Sequence, residues 1–352
     1  MRVLVTGHHG YIGSVLAPIL REAGHVVVGL DTFLYQGCDF GDAPEWEPAL
    51  RIDVRDVQPE ELAEFDAVVH LAALSNDPLG DLDPGWTYGI NLEGTVSLAR
   101  AAKEAGVRRF VFASSCSIYG ASGSDDLLDE EAPLRPLTPY AETKVRAEEQ
   151  LAGLADAGFS PIFMRNATAY GVSPRLRLDV VLNNLAAYAH TTGRITLLSD
   201  GSSWRPLVHV QDIARATLAL IDAPSEKVHG EAFNIGSSDQ NVRIRELAEM
   251  LSAHSSCDVE MSDEAAPDPR SYCVDFGKLA RALPGFSCSW TPTRGAEELL
   301  SAYRDVGLST DDFAGSRYVR VRRLKELLDE SSLDGDLRVR PTAREFREET
   351  ER

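Results

Sequence analysis

Three glycines constrain the start of this chain more than any other feature. Gly7, Gly10 and Gly13 follow a short apolar run rich in β-branched residues, Arg2-Val3-Leu4-Val5-Thr6, and lead into residues 14–23, which read as a helix. The run suits a buried parallel strand. A second such run, Val26 to Leu30, ends at Asp31. Strand, glycine turn, helix and strand in that order form a βαβ unit of the length that binds a dinucleotide. In such a unit Gly7 permits the tight turn, Gly10 lets a pyrophosphate approach the backbone, and Gly13 lets helix and strand pack closely. Tyr11 and Ile12 stand at the start of the helix, whose N-terminus faces the phosphates. Asp31 stands where a carboxylate accepts from the adenosine ribose 2′-hydroxyl and repels a 2′-phosphate. The expected cofactor is therefore NAD rather than NADP.

The alternation continues. Further strands are predicted at 66–71, 109–114 and 161–165, and helices near 92–105 and 139–156. This rhythm predicts an α/β fold, a doubly wound parallel (Rossmann) sheet, with a smaller C-terminal α/β substrate-binding lobe. The expected division is a nucleotide domain over 1–171, with 207–236 returning to it. The lobe is expected over 172–206 and 237–311, with a helix near 179–192, and a charged extension over 312–352. The extension has a helical stretch near 318–330 and reads as a solvated terminal helix with a frayed tail. The functional alternative is a lid or a dimer arm.

Composition narrows the partners. The chain has 352 residues and a net charge of −20. Such a surface disfavours nucleic acid and anionic membranes, and an anionic ligand then needs a local basic pocket. The five cysteines, Cys38, Cys116, Cys257, Cys273 and Cys288, are odd in number and scattered without metal-ligand spacing. They fit a reducing cytoplasm and no metal site. No apolar stretch is long enough to span a bilayer, and the first strand begins at once, without a signal peptide before it.

Tyr140 and Lys144 are four apart on a predicted helix, so both side chains share a face. A nearby ammonium favours the phenolate over the phenol. That phenolate can take the proton of a substrate hydroxyl as hydride leaves the same carbon. Lys144 is also placed to bond the nicotinamide ribose. The segment Ser114-Ser115-Cys116-Ser117-Ile118-Tyr119-Gly120 follows the strand at 109–113. Its hydroxyls fall at the carboxyl end of a parallel strand, where open α/β sheets bind ligands.

With these residues the chain resembles the extended short-chain dehydrogenase/reductase family, and within it the NAD-dependent nucleotide-sugar epimerase/dehydratase group, over about residues 1–305. The resemblance rests on the glycine run, Asp31, Asp53-Val54, His70-Leu71-Ala72-Ala73, Asn91-x-x-Gly94-Thr95, the serine loop and Tyr140/Lys144. It implies that Asp53 and Val54 flank the adenine and that Leu71, Ala72 and Ala73 line the cofactor. Asn91 and Ser114 are counted with the cofactor residues. Ser115 is then the catalytic hydroxyl, Tyr140 the base and Lys144 its activator. Asn183-Asn184-Leu185 resembles the segment that contacts the nucleotide phosphates, and Arg205 opens an Arg-x-x-x-His-x-x-Asp segment whose arginine grips a diphosphate. Arg270 is a second candidate for that role.

Departures from the family pattern narrow the chemistry. Family 4,6-dehydratases carry Asp-Glu, or at least Glu, just after the catalytic hydroxyl, and sugar-nucleotide decarboxylases share that Glu; here Cys116 and Ser117 stand there. The 3,5-epimerase branches carry a cysteine where this chain has Ser117, and Cys116, one residue away, points to the other face of an extended segment. Cys116 therefore reads as packing, while remaining with Ser117 among the candidate substrate-side residues. Thr168 replaces an asparagine common near the diphosphate, and the loop Ser75-Asn76-Asp77-Pro78-Leu79-Gly80 is not the usual 4-epimerase sequence. Ser75 and Asn76 of that loop are candidates to touch the sugar. The expected activity is an NAD-dependent nucleotide-sugar epimerase acting at C4, through a transient keto-sugar. A nucleotide-sugar oxidoreductase or dehydratase is the close alternative, and a non-catalytic NAD-binding protein the remote one. The resemblance also implies a homodimer, built through the helices at 92–105 and 139–156.

Overall fold

The structure is a computed structural model that describes residues 1–42, 48–75, 82–121, 126–266, 268 and 270–340. Its centre is a seven-stranded sheet. The strands are β1 (Arg2–Thr6), β2 (Val26–Leu30), β3 (Ala49–Leu50), β4 (Ala67–His70), β5 (Arg109–Ser115), β7 (Ser160–Asn166) and β11 (Ala232–Ile235), with the short strands β6 (Leu127–Leu128) and β8 (Thr168–Tyr170) lying outside it. The order across the sheet is β3-β2-β1-β4-β5-β7-β11, and every neighbouring pair is parallel. The order reverses between β1 and β4, which leaves a crevice at the carboxyl ends of those strands.

Period-two alternation divides the core between the two faces of the sheet. Val3, Val5, Val69, Val111, Ile162 and Met164 face one side, where helices Gly13–Glu22 and Val210–Asp222 cover them with Leu16, Leu20, Ile213 and Leu220. Leu4, Val68, Phe110, Phe112 and Phe163 face the other, under Leu98, Ala102, Ala147 and Leu151 of helices Thr95–Glu104 and Pro139–Ala152. The doubly wound sheet expected from the sequence is present.

Two elements differ from the sequence reading. The helix expected near 92–105 begins earlier: Asp83 caps Pro84–Thr87, seven residues of π-helix follow over Tyr88–Gly94, and regular helix resumes at Thr95. Gly94 lets this segment lie close to its neighbours, since a Cβ there would press on Arg55 at 3.1 Å and Val54 at 3.3 Å. The strand at the start of the 207–236 stretch, expected to return to the main sheet, does not join it. β10 (Trp204–His209) pairs with β8 and with β12 (Asn241–Arg243) in a separate three-stranded sheet. From this part of the chain β11 alone extends the main sheet.

The second core gathers Leu182, Leu185, Leu247, Leu251, Leu299 and Tyr303 from helices Val181–Thr192, Ile244–Ser255 and Pro292–Val306. They pack on β9 (Arg194–Ser199), which pairs in parallel with β13 (Asp258–Ala266). The C-terminal extension also packs. Leu324 and Leu327 of helix Arg320–Asp329, together with Leu333 and Leu337, bury themselves against Leu74. The expected solvated helix is thus an amphipathic one with a docked apolar face. No described helix is long and apolar enough to cross a membrane.

Candidate active site

A cleft of about 990 Å³ runs along the carboxyl ends of β1, β2, β4 and β5 into the second lobe. Its floor is the glycine turn. Gly7 has φ +70°, and a Cβ on it would sit 2.7 Å from Ala72 N. A Cβ on Gly13 would sit 2.4 Å from Gly7 O. The turn therefore lies against the end of β4 and the helix start with no room for side chains, as a backbone cradle requires. Helix Gly13–Glu22 has no side-chain cap; Ser14 N–H bonds Gly10 O at 3.1 Å and Leu16 N–H bonds Ile12 O at 2.9 Å, while Ile12 and Gly13 at its start line the cleft.

Asp31 leaves β2 at one end of the cleft. Its Oδ2 accepts from His9 N–H at 3.1 Å and its Oδ1 from Phe33 N–H at 2.8 Å. Burial pushes its carboxyl up from the usual range, against the pull of those N–H groups and of the nearby histidine and arginine. Ile52, Asp53 and Val54 form the adjoining wall, and Asp53 holds Arg55 through Nε at 2.9 Å and Nη2 at 2.6 Å. Leu71, Ala72, Ala73 and Ser75 form the opposite wall. Behind it His70 bonds Thr6 Oγ1 at 2.7 Å and Thr95 Oγ1 at 2.8 Å, with burial holding its imidazole down at about 3 and so neutral.

Asn91 needs a correction. The resemblance places it at the cofactor, yet it is fully buried away from the cleft. Its amide accepts from Leu74 N–H at 2.8 Å and donates to Leu74 O at 2.9 Å. It shapes the loop that follows the cleft wall instead of reaching the cleft itself.

Ser115, Tyr140 and Lys144 meet in the middle of the cleft. Ser115 is the last residue of β5. Its Oγ accepts from Ser117 N–H at 3.1 Å and so caps the short turn Cys116–Tyr119. Tyr140 lies in the first turn of helix Pro139–Ala152, which Thr138 caps through Ala141 N–H and Pro139 starts. Lys144 follows one turn later, its Nζ 5.7 Å from the centre of the Tyr140 ring and 4.5 Å from that of Phe112. The Nζ donates to Ala113 O at 2.7 Å. Burial lowers the ammonium to about 7, with Glu148 opposing weakly. Ser114 and Ser117 also line the cleft.

Cys116 is the second correction. It is a candidate substrate-side residue by sequence, but it is 1% exposed, belongs to the core beneath the sheet, and donates its thiol to Arg165 O at 3.0 Å. Burial pushes the thiol well above its ordinary value, so it is not a thiolate. The one-residue offset from Ser117 turns it to the opposite face.

Thr168, Asn184, Arg205 and Arg270 line the far end. Asn184 donates to Leu178 O at 2.9 Å. Arg205 donates to Asp268 Oδ2 at 2.5 Å and to Trp204 O at 2.8 Å, while Arg270 reaches both oxygens of the same Asp268 at 3.0 and 2.9 Å. Two guanidinium groups thus share one carboxylate, which leaves net positive charge at this end. Of the Arg-x-x-x-His-x-x-Asp segment, the arginine faces the cleft and the other two residues hold the fold. His209 stacks on Trp290 with ring centres 3.8 Å apart and bonds Glu298, and Asp212 accepts from Ser289 and Trp290 N–H. Asn76 lies outside the described residues.

The sequence reading misses several residues of the cleft wall: Tyr35, Arg177, Asp179, and Val319 to Arg322 with Leu337 from the extension. Arg177 pairs with Asp179 at 2.8 Å and donates to Ser75 Oγ at 2.8 Å. A signal for the extension is present in the chain. Val321, Leu324, Leu327 and Leu328 recur at helical spacing inside an otherwise charged run.

The NAD dependent epimerase/dehydratase family matches residues 3–236. The UDP-glucose 4-epimerase of Bacillus subtilis (strain 168) is 28% identical over 331 residues, covering 86% of this chain and 95% of its own length. Among solved structures, the NAD complex of the Thermus thermophilus UDP-glucose 4-epimerase aligns with a TM-score of 0.75 at 25% identity, over 86% of this chain and 99% of that one. TunA, an NAD-dependent NDP-hexosamine 5,6-dehydratase involved in tunicamycin biosynthesis, aligns with a TM-score of 0.77 at 24% identity, over 86% and 98%. At that identity it speaks for the fold alone.

Proposed function

The chain belongs to the NAD dependent epimerase/dehydratase family, and from that premise we propose that it is an NAD-dependent nucleotide-sugar epimerase acting at C4. Its cleft fits the cofactor. The Gly7–Gly13 turn and the uncapped helix suit a pyrophosphate, Asp31 suits the adenosine ribose hydroxyls, and Tyr140 and Lys144 suit the nicotinamide ribose. Bound NAD supplies reversible hydride transfer with the sugar carbon.

The chain's own residues supply the rest. Tyr140, as phenolate, takes the C4 hydroxyl proton and later returns it. Ser115 Oγ hydrogen-bonds the same oxygen as it becomes a carbonyl. Lys144 keeps positive charge beside the phenolate and lowers the cost of forming it. Arg205 and Arg270 hold the diphosphate while the flat keto-sugar turns its other face, so that the restored hydroxyl has the opposite configuration. No net oxidation results.

One observation carries the choice of epimerisation over elimination: among the described residues, no carboxylate that lines the cleft is bonded to Ser115, Tyr140 or Lys144. Among the described residues the cleft carboxylates are Asp31, Asp53, Asp179 and Asp268. Each is held by N–H groups or a guanidinium away from Ser115. Elimination of water from the sugar needs a carbon acid/base that this set lacks. The test is turnover of a nucleotide-hexose in D2O. Epimerisation by hydride return leaves no carbon-bound deuterium in the product. Deuterium at C5, or loss of water, would move the chain to the dehydratase branch.

The same reading includes a homodimer in the cytoplasm. Helices Thr95–Glu104 and Pro139–Ala152 support it as the pairing surface, the second packing beside Tyr88, whose hydroxyl donates to Glu142 at 2.6 Å. Sedimentation at the mass of a monomer would refute the dimer.

A further inference from the structure

Arg320 opens the helix of the C-terminal extension and stands in the wall of the cleft. It is only 5% exposed. Its Nη2 donates to Arg175 O at 3.0 Å, and its guanidinium lies 4.0 Å from the centre of the Tyr35 ring. Its Nη1 is buried without a hydrogen-bond partner, and no carboxylate among the described residues forms an ion pair with it. A buried guanidinium without an anion is costly. The neighbouring buried arginines are matched: Arg177 by Asp179 and Arg175 by Asp39. Arg320 stands in the cleft wall with a donor to spare.

Its position identifies the missing anion. Tyr35 is four residues beyond Asp31, on the side of the cleft where the ribose-binding carboxylate sits. Tyr35 is shared electrostatically by Arg320 and Arg177, and Arg177 also acts on Tyr11 in the glycine turn. The paired arginines Arg205 and Arg270 lie instead in the second lobe, with Asp268. We propose that Arg320 is a cofactor ligand supplied by the C-terminal extension, its Nη1 donating to the pyrophosphate of the bound dinucleotide.

The extension is built to deliver it. Tyr318 O accepts from Leu178 N–H at 2.9 Å, and Arg317 Nη2 and Tyr318 OH both donate to Asp39 O, at 2.7 and 3.2 Å. Beyond the helix, Trp86 Nε1 donates to Gly335 O at 2.7 Å, Arg55 Nη1 to Asp336 O at 2.9 Å, and Arg338 pairs with Asp56. Leu337 is buried against the same wall that carries Val54 and Leu74. Val319 to Arg322 and Leu337 thus stand in the wall of the cleft, held there by contacts on both sides of the helix.

This inference rests on the reading of the cleft as an NAD site, and the experiment separates the two. Cofactor-stripped wild type and Arg320→Gln are titrated with NADH, ADP, adenosine and UDP. Loss of a charged hydrogen bond to phosphate weakens NADH and ADP by about tenfold or more. Adenosine and UDP bind to both proteins alike, and Arg320→Lys keeps part of the phosphate preference. Wild type that binds no NADH overturns the NAD reading itself. Wild type that binds NADH with Arg320→Gln equal to it overturns this inference alone. A parallel loss for adenosine makes Arg320 a packing residue, and a loss confined to UDP assigns it to the substrate; both overturn the proposal. If Arg320→Gln fails to fold, Arg320→Lys decides: NADH and ADP weakened while adenosine and UDP are unchanged support the role, and all four bound as by wild type overturn it.

Discussion

Replacing Lys144 with methionine should stabilise the cofactor-free protein while removing its activity. The lysine is wholly enclosed, and burial lowers its ammonium from 10.5 to about 7. At 1.36 kcal/mol per pH unit, charging it costs about 4–5 kcal/mol more in the fold than in the unfolded chain. Methionine keeps most of the apolar stem but leaves Ala113 O without its donor, a loss of about 1–3 kcal/mol. The net gain at neutral pH is therefore on the order of 2–3 kcal/mol, or about 5 °C in Tm for a chain of this size. The sign with pH follows from the lowered value. Above about pH 10.5 the lysine is neutral in both states and costs nothing through its charge. As pH falls the penalty grows, and it is complete below about 7. Urea unfolding of stripped wild type and Lys144→Met from pH 6 to 9.5 measures it. The variant's advantage should be largest at pH 6–7 and shrink by about 3 kcal/mol towards pH 9.5. A variant no more stable than wild type at pH 7, or an advantage independent of pH, would refute the reasoning. A buried charge kept at such cost is a sign of function placed ahead of stability.

Other substitutions test the remaining parts of the site. Tyr140→Phe removes the proton acceptor and should lower kcat by about 10²–10⁴-fold, with the NAD content of the purified protein unchanged. Gly13→Ala puts a Cβ 2.4 Å from Gly7 O; the protein should be purified without dinucleotide, as absorbance at 260 nm against 280 nm will report. Arg205→Gln should raise KM for the sugar nucleotide by about tenfold or more with a smaller change in kcat, because its role is to hold the diphosphate. Cys116→Ala should leave kcat and KM within about twofold and cost only on the order of 1 kcal/mol of stability, since its thiol serves the core.

What could be read from the sequence was what is local. The turn at Gly7, Gly10 and Gly13 follows from backbone geometry over a dozen residues, and the strands around it from alternation that the two faces of the sheet both bury. Ser115, Tyr140 and Lys144 line one cleft because β5 and helix Pro139–Ala152 meet at the same edge, a placement the βαβ rhythm already implies. Distant packing was not legible. Asn91 looks like a polar contact residue, but its amide is spent on Leu74 seventeen positions away. β10 leaves the main sheet because its partners are β8 and β12, not its neighbours in a repeating pattern. Arg320 stands 145 positions from Arg175, whose carbonyl orients it, and high charge density hid the apolar face that docks its helix.

The most direct test of the central claim is mass spectrometry with proton NMR on the purified protein, without added cofactor, against nucleotide-hexoses and nucleotide-uronates. The account predicts an isomer of unchanged mass whose coupling constants show inversion at C4, formed over many turnovers with the NAD that the protein carries. A product lighter by water or carbon dioxide, or turnover that consumes added NAD(H) mole for mole, would contradict it.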